Sequence, residues 1–248
     1  MNRSVTYAST PMYSELDEPP RTRAEAVYRR FRQDILWGRL APGSPLRSNE
    51  LSQTYDVGIS PLREALSRLL SEKLVTQTGQ RGFRVAPLTG EDVLDTMETR
   101  IVLECEALTR SILSGGLSWE TGVVSSYHAL SRIDLPKGPG EHAEHWAAHH
   151  RHFHMALLSG CGSAWMQALA RSLFDHAERH RIIALNELSE VRDAGDEHKQ
   201  IMEAALAGNV KAAVAALDHH YRTTANLVAK PFLPRKRPAT RSAIKGLP

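Results

Sequence analysis

Residues 46–66, LRSNELSQTYDVGISPLREAL, decide the fold of the first third of this chain. Leu46, Leu51, Val57, Leu62 and Leu66 recur at intervals that suit two short helices packed on each other, with Gly58 in the connection and Ser60-Pro61 opening the second helix. A hydroxyl and Arg63 stand at the start of that second helix, where side chains and backbone N–H groups can reach phosphates and base edges. Downstream, the helix is expected to run on through Ser67 to Lys73. Two β-prone runs follow, Leu74 to Thr78 and Phe83 to Ala86, around the turn Gly79-Gln80-Arg81-Gly82. They predict a wing, a β-hairpin whose glycine-rich, basic tip can approach a duplex. Upstream, Val27, Phe31, Ile35 and Leu36 within Ala24 to Trp37 are spaced as an amphipathic helix, stopped by Gly38 and Pro42-Gly43. Residues 21–88 therefore read as a winged helix-turn-helix.

At 248 residues the chain is too long for one winged helix and has room for a second core. Its 31 basic and 28 acidic residues leave a formal charge of only +3, so any nucleic-acid face must be local. Arginines cluster at Arg21, Arg23, Arg29, Arg30 and Arg32 and again at Arg81 and Arg84, inside the same module. Such a cluster is ordinarily solvated charge, but here it can supply the salt-sensitive part of DNA affinity. Two cysteines, Cys105 and Cys161, make neither a disulfide framework nor a metal knuckle, which suits a reducing compartment. No apolar signal core opens the chain, and no run is long enough to span a bilayer, so a soluble, cytoplasmic protein without a membrane partner is expected. Residues 1–20 and 231–248, rich in Pro, Ser, Thr and charge, are expected to form a disordered arm and a basic disordered tail.

From Thr89 the pattern changes. Thr89-Gly90-Glu91-Asp92 reads as a helix cap, and Val93, Leu94, Met97, Ile101, Leu103, Leu108 and Ile112 as a buried stripe behind it. Further helical segments fall at about 117–132, 142–159, 163–186, 189–207 and 209–229, with one clear break at Ile133 to His142, and nothing resembles a strand. The fold class is mainly α: the winged module with its small β wing, then an all-α bundle of six to seven helices over 89–230. In such a bundle ligand sites are built from inward side chains.

Histidine is concentrated in that bundle, from His128 to His220. His150 and His154 lie four apart in HRHFH, on one face of a helix and one turn from each other. They form a workable two-ligand clip, and His198 and His220 can add donors from two other helices. The same spacing also describes surface or packed histidines, so spacing alone leaves both readings open.

Residues 22–88 closely resemble the DNA-binding domain of GntR-type bacterial transcription regulators, through GRLAPGSPL, NEL, SPLREAL, EKLV and RGFRVAPL. The resemblance implies double-stranded operator DNA as partner, met by Ser60 and Arg63 and by Gly82 at the wing tip, with Arg81 of the basic cluster beside it. Asn49 and Ile59 stand where many members carry arginine, so a different base preference is expected. Residues 91–225 resemble FCD, the all-helical effector domain of the FadR subgroup, through ETRIVLE, HRHFHMALLSGCGS, EHKQI and GNVKAAVAALDHHY. In its metal-binding members the ligands map to His150, His154, His198 and His220, with His150 standing where Asp is usual. Four neutral imidazoles suit a divalent ion such as zinc or nickel. By helical phase, His149, His152 and His219 are expected to point outward or to lie behind the ligands.

The same resemblance implies a small organic acid as effector. Arg100, and Arg179 or Arg181, are expected either to grip a second carboxylate with bidentate bonds or to make internal salt bridges across helices. The run GCGSAWMQALARSLFDHAERHR resembles members that sense dicarboxylates such as glutarate, which points to a C4 to C6 acid. A homodimeric regulator, more often a repressor than an activator, is expected on a two-fold operator. One rival reading keeps the DNA-binding module and makes the helical domain purely structural. The other, a metal-dependent hydrolase, lacks the glutamate of a metalloprotease HExxH clip, and no GxSxG elbow or CxxC pair is present. A non-enzyme is therefore expected.

Overall fold

The computed structural model describes residues 19–77, 79, 82–136, 138, 140–185 and 192–233, and they separate into two compact units, 1–87 and 88–248. In the first unit, helix α1 (Arg23–Leu36) is capped by Thr22, whose hydroxyl accepts from the Glu25 amide at 3.1 Å. Its inward face carries Val27, Tyr28, Phe31 and Ile35, an i, i+4, i+8 stripe. Helices α2 (Ser48–Thr54) and α3 (Ile59–Ser71) follow, and Ser52 Oγ closes their turn by donating to the Val57 carbonyl at 2.6 Å. All five leucine and valine anchors of residues 46–66 are buried, around Phe31 and Tyr55, whose rings meet edge to face at 4.0 Å.

The wing is an antiparallel pair, β2 (Val75–Gln77) and β3 (Phe83–Val85). A third strand, β1 (Pro45–Leu46), pairs with β3 on its other side, giving the order β1-β3-β2. The sequence did not announce it. A two-residue strand is below the length at which alternation can be read, and its proline is tolerated because β1 is an edge. At the tip Gly82 holds φ +98, a conformation that L side chains rarely adopt. Arg81 lies outside the described residues.

The second unit is helical. Its six α-helices are α4 (Gly90–Ser114), α5 (Gly116–Ser131), α6 (Glu141–Leu158), α7 (Ala164–Leu185), α8 (Gly195–Leu206) and α9 (Val210–Ala229), and among the described residues it holds no strand. α4 starts with a full capping box: Thr89 and Asp92 each accept the other's amide at 3.1 Å. It packs along α9 and α7, while α5 pairs with α6 and α8 with α9. Two expectations fail here. The inward stripe of α4 is not wholly apolar, because Arg100 and Glu104 are buried within it and Leu94 is 37% exposed. The segment expected as helix from 189 begins only at Gly195, since Arg192 to Ala194 are non-helical.

A short 3-10 turn, Lys230–Phe232, ends the described chain, with Phe232 packed against Val93, Ala184, Val228 and Ala229. The first residues of the expected tail are thus part of the fold; the rest of it, and the expected arm apart from residues 19 and 20, lie outside the described residues. Two glycines make one close approach possible. A Cβ on Gly160 would stand 2.8 Å from the Gly115 Cα, and one on Gly115 would stand 2.6 Å from the Trp119 ring. Trp119 itself is buried there, its indole N–H donating to the Leu157 carbonyl at 3.1 Å.

Candidate functional site

In the first unit the outward face of α3 carries Ser60, Arg63, Glu64 and Ser67, while Leu62, Ala65, Leu66 and Leu69 anchor its inner face. Ile59, Ser60, Arg63, Glu64 and Ser67 line one shallow surface concavity. Ser60 and Arg63 are both exposed and share it, at the start of the helix, as a recognition element requires. Gly82 sits on β3's approach to the wing tip rather than on α3, so the structure does not bring it into the same concavity.

The second unit encloses a cavity of about 560 Å³ lined from α4 to α9. One corner is made of four buried imidazoles. Ala143, Trp146, Ala147, His150, Phe153, His154 and Leu157 form the inward stripe of α6, which is why His150 and His154 face the cavity while His152 is exposed and His149 half-buried. α8 adds His198, and α9 adds His220, with His219 exposed beside it. One potential ligand atom from each of the four lies within 4.8 Å of every other, and His150 Nε2 is 3.1 Å from His154 Nε2. Imidazole nitrogens sharing one zinc or nickel ion stand roughly 3 to 3.4 Å apart, so this spacing fits an ion.

Groups behind two of the imidazoles fix which nitrogen they present. His220 Nδ1 lies 2.9 Å from a Glu197 carboxylate oxygen, an acceptor, so Nδ1 carries the proton and Nε2 keeps its lone pair. His154 Nδ1 lies 3.2 Å from the Tyr221 hydroxyl, which donates its proton to Glu104 at 2.5 Å and also accepts from Arg100 at 2.9 Å. With that proton given to Glu104, Nδ1 of His154 must donate to the hydroxyl oxygen, again leaving Nε2 free to ligate. His150 Nδ1 faces Glu178 at 3.7 Å. His198 Nε2 is buried without a hydrogen-bond partner among the described residues. Buried polar atoms are rarely left so, and a lone pair on this nitrogen could ligate a cation held by the cluster.

Burial keeps this set neutral, the form that binds metal. It pushes His150 down to about 4, and holds His154 and His198 well below the usual histidine range and His220 below it, with the neighbouring imidazoles adding to the depression of His154. On α7, burial pushes His180 down to about 3, with Arg179 and His176 adding to it. Each such histidine takes up a proton in the unfolded chain near pH 6.5 but in the folded one only below its depressed value. The unfolded state therefore binds more protons in that window, and stability is lost as the pH is lowered, by up to about 1.4 kcal/mol per unit for each histidine. Metal-free protein is expected to lose stability steadily from pH 6.5 to 4 in urea titrations; a flat profile contradicts the buried neutral assignment.

The three arginines named from sequence fare differently. Arg100 lines the cavity but is held by Glu104, its Nε donating at 2.6 Å, and by Tyr221. Burial, the largest single influence, would lower the guanidinium, but Glu104, Tyr221 and Glu178 together outweigh it and leave its pKa raised. Arg181 also lines the cavity, and it pairs with Glu178 while lying over the Trp146 ring at 4.6 Å. Burial alone would raise Glu178, but Arg181 and His150 outweigh it and keep the carboxylate charged. Arg179 does not line the cavity. It is 2% exposed, and burial lowers it to about 10, partly offset by Asp92. Helical phase explains the miss, because Glu178 and Arg181 share a face of α7 that Arg179, one residue along, cannot share.

Sequence reasoning missed Arg192, Glu197, Glu178, Trp146 and Tyr221. Arg192 donates to Thr224 at 2.9 Å and to Glu197, tying α9 to the start of α8. Glu197 is held at about 2, chiefly by its bond to His220. The signal available for two of them was adjacency, since Glu197 precedes His198 and Tyr221 follows His220.

Comparison with known proteins agrees with this division. Residues 23–85 match the family model of bacterial regulatory proteins of the gntR family, and residues 95–223 match the FCD domain. The HTH-type transcriptional regulator BphR of Paraburkholderia xenovorans is 39% identical over 231 residues, 91% of this chain and 94% of its own. The HTH-type transcriptional repressor GlaR of Escherichia coli is 34% identical over 200 residues, 79% of this chain and 91% of its own. A transcriptional regulator of known structure from a Rhodococcus species has the same fold, with a TM-score of 0.66 at 23% identity over 84% of this chain and 98% of its own.

Proposed function

This chain belongs to the GntR family of bacterial regulatory proteins with a C-terminal FCD domain and is a DNA-binding transcription regulator; from that premise we propose that a divalent metal and a small organic acid, bound together in the helical unit, set its affinity for operator DNA. The observation that carries the reading is the corner of four neutral imidazoles, one possible ligand atom of each within 4.8 Å of every other, with Nε2 of His150 and His154 3.1 Å apart and Nε2 of His198 orphaned. His150, His154, His198 and His220 would hold the ion, and when bound it supplies a positively charged anchor for a carboxylate. An all-imidazole set favours zinc or nickel over the harder divalent ions that want oxygen. Glu197 and Tyr221 orient His220 and His154 from behind, and the Glu178 carboxylate lies 3.7 Å from His150 Nδ1.

On the DNA side, Ser60 and Arg63 read the major groove and Gly82 lets the wing backbone approach the duplex; Arg81 is assigned to the same tip. Arg63→Ala is expected to cost about 1–3 kcal/mol in operator binding and little in binding to random sequence, measured by fluorescence anisotropy. An equal loss on both DNAs would make Arg63 a phosphate contact. We further assign the protein as a homodimeric repressor with one winged helix per half-site. Val102, Leu113, Leu117 and Trp165, each more than 70% exposed and all in the second unit, supply apolar surface for pairing. No described helix is long and apolar enough to cross a membrane.

The deciding experiment selects bound fragments from the source genome with purified protein, then measures affinity for the enriched site with and without zinc, and with and without a panel of acids. A metal-dependent change produced by at least one acid supports the reading. Affinity unmoved by metal and by every acid removes the sensor and leaves the histidines a structural role.

A further inference from the structure

Outside the histidine corner, every arginine that lines the cavity is already matched by a carboxylate. Arg100 is held by Glu104, which is 0% exposed, Arg181 by Glu178, and Arg192 by Glu197, the same carboxylate that orients His220. A ligand carboxylate could take any of them only by stripping a buried acid of its partner, which is the costly way to break such a pair. Four carboxylates also line the cavity, Glu178 within it and Asp134, Asp193 and Asp196 exposed around its opening. With the three arginines already matched by Glu104, Glu178 and Glu197, Asp134, Asp193 and Asp196 remain as unbalanced negative charge among the described lining residues. A divalent ion at the four neutral imidazoles is then a cation that no acid of the described lining already holds, and one carboxylate can be anchored on it. A second carboxylate would face the rim aspartates with no unmatched cation among the described lining residues to meet it. What remains of the wall is largely apolar, including Met97, Tyr127, Leu130, Trp146, Leu185 and Leu227.

We infer that the acid taken by this cavity carries one carboxylate on an uncharged, largely apolar body, and that a second anionic group is rejected. This rests on the reading of the cavity as the effector site, and it departs from the dicarboxylate suggested by the sequence resemblance. The lining arginines serve to hold the site's own acids in place, and the rim selects against dianions.

Hexanoate and adipate make a matched pair, six carbons each, differing in one terminal carboxylate. Isothermal titration of the full chain, loaded with zinc and freed of excess ion, is expected to show hexanoate binding at least about tenfold more tightly than adipate. Removing rim charge with the Asp134→Asn/Asp196→Asn double substitution is expected to raise adipate affinity severalfold and leave hexanoate unchanged; neither side chain touches the imidazoles. Adipate binding as tightly as hexanoate, or an adipate affinity unmoved by the double substitution, overturns the inference and leaves the effector reading intact. Absence of heat and of any thermal shift with both acids, on protein shown to hold zinc, overturns the effector reading and the inference with it.

Discussion

Arg100→Ala is expected to destabilise the helical unit by about 3–5 kcal/mol, a large share of a domain's total stability. The guanidinium is 4% exposed, its Nε bonds Glu104 at 2.6 Å, and a second nitrogen bonds the Tyr221 hydroxyl at 2.9 Å. Removing it leaves Glu104, with no exposed surface, holding an uncompensated charge. Urea denaturation of metal-free protein, following the transition of the second unit, checks this. Replacing both partners in Arg100→Met/Glu104→Leu should restore most of the loss, because the penalty lies in the stranded acid rather than in a missing attraction. A single-variant loss under about 1 kcal/mol would show that Glu104 is reached by water or accepts a proton without cost.

His154→Ala should lower zinc affinity at least about a hundredfold, with His149→Ala, on the same helix but half-buried beside it, as the neutral comparison. His154 is central in the set: its ring lies 4.6 Å from that of His150, 5.4 Å from His198 and 5.3 Å from His220. Its proton position is also dictated by Tyr221, so it enters the site already in the ligating tautomer. Equilibrium dialysis against a zinc buffer reads the effect directly, and far-ultraviolet circular dichroism confirms that the variant folds. Unchanged zinc affinity in His154→Ala would sink the ligand assignment.

The winged module was legible in the sequence because each of its parts has a local cause: glycine in the turn, proline early in α3, β-prone runs about a glycine-rich tip, and leucines at packing intervals. β1 escaped because two residues carry no period, and its existence depends on β3, some forty residues away. In the second unit the helices were readable and their faces less so. Leu94 counted as core on hydropathy, yet α4 turns Arg100 and Glu104 inward instead, since a buried charge becomes tolerable once its partner sits one turn away and Tyr221 arrives from α9. Periodicity has no means of seeing that third group. The four histidines were picked out by the family resemblance, with helical phase then setting His149, His152 and His219 apart from them, whereas phase did not separate Arg179 from Arg181, because both belong to a helix packed on more than one side. The acids that match the cavity's arginines lie three to five residues from them, Glu104 and Glu178 on the same helices as their partners, so the pairs were within reach of spacing, and only their place on a cavity wall was not.

The seam where Gly115 meets Gly160 beneath Trp119 has its own consequence for anyone surveying variants of this protein. Neither glycine lines the cavity or lies in the DNA-binding unit, yet a Cβ at either would stand under 3 Å from a neighbouring atom, and at Gly115 the obstacles are a carbonyl oxygen and an indole ring that cannot swing aside. In a saturation screen scored on gene regulation these two positions would look as intolerant as the histidines. The two kinds of intolerance part company when protein abundance is counted separately: substitutions at the seam should deplete the soluble protein itself, whereas a histidine change should leave plenty of protein that no longer answers its signal.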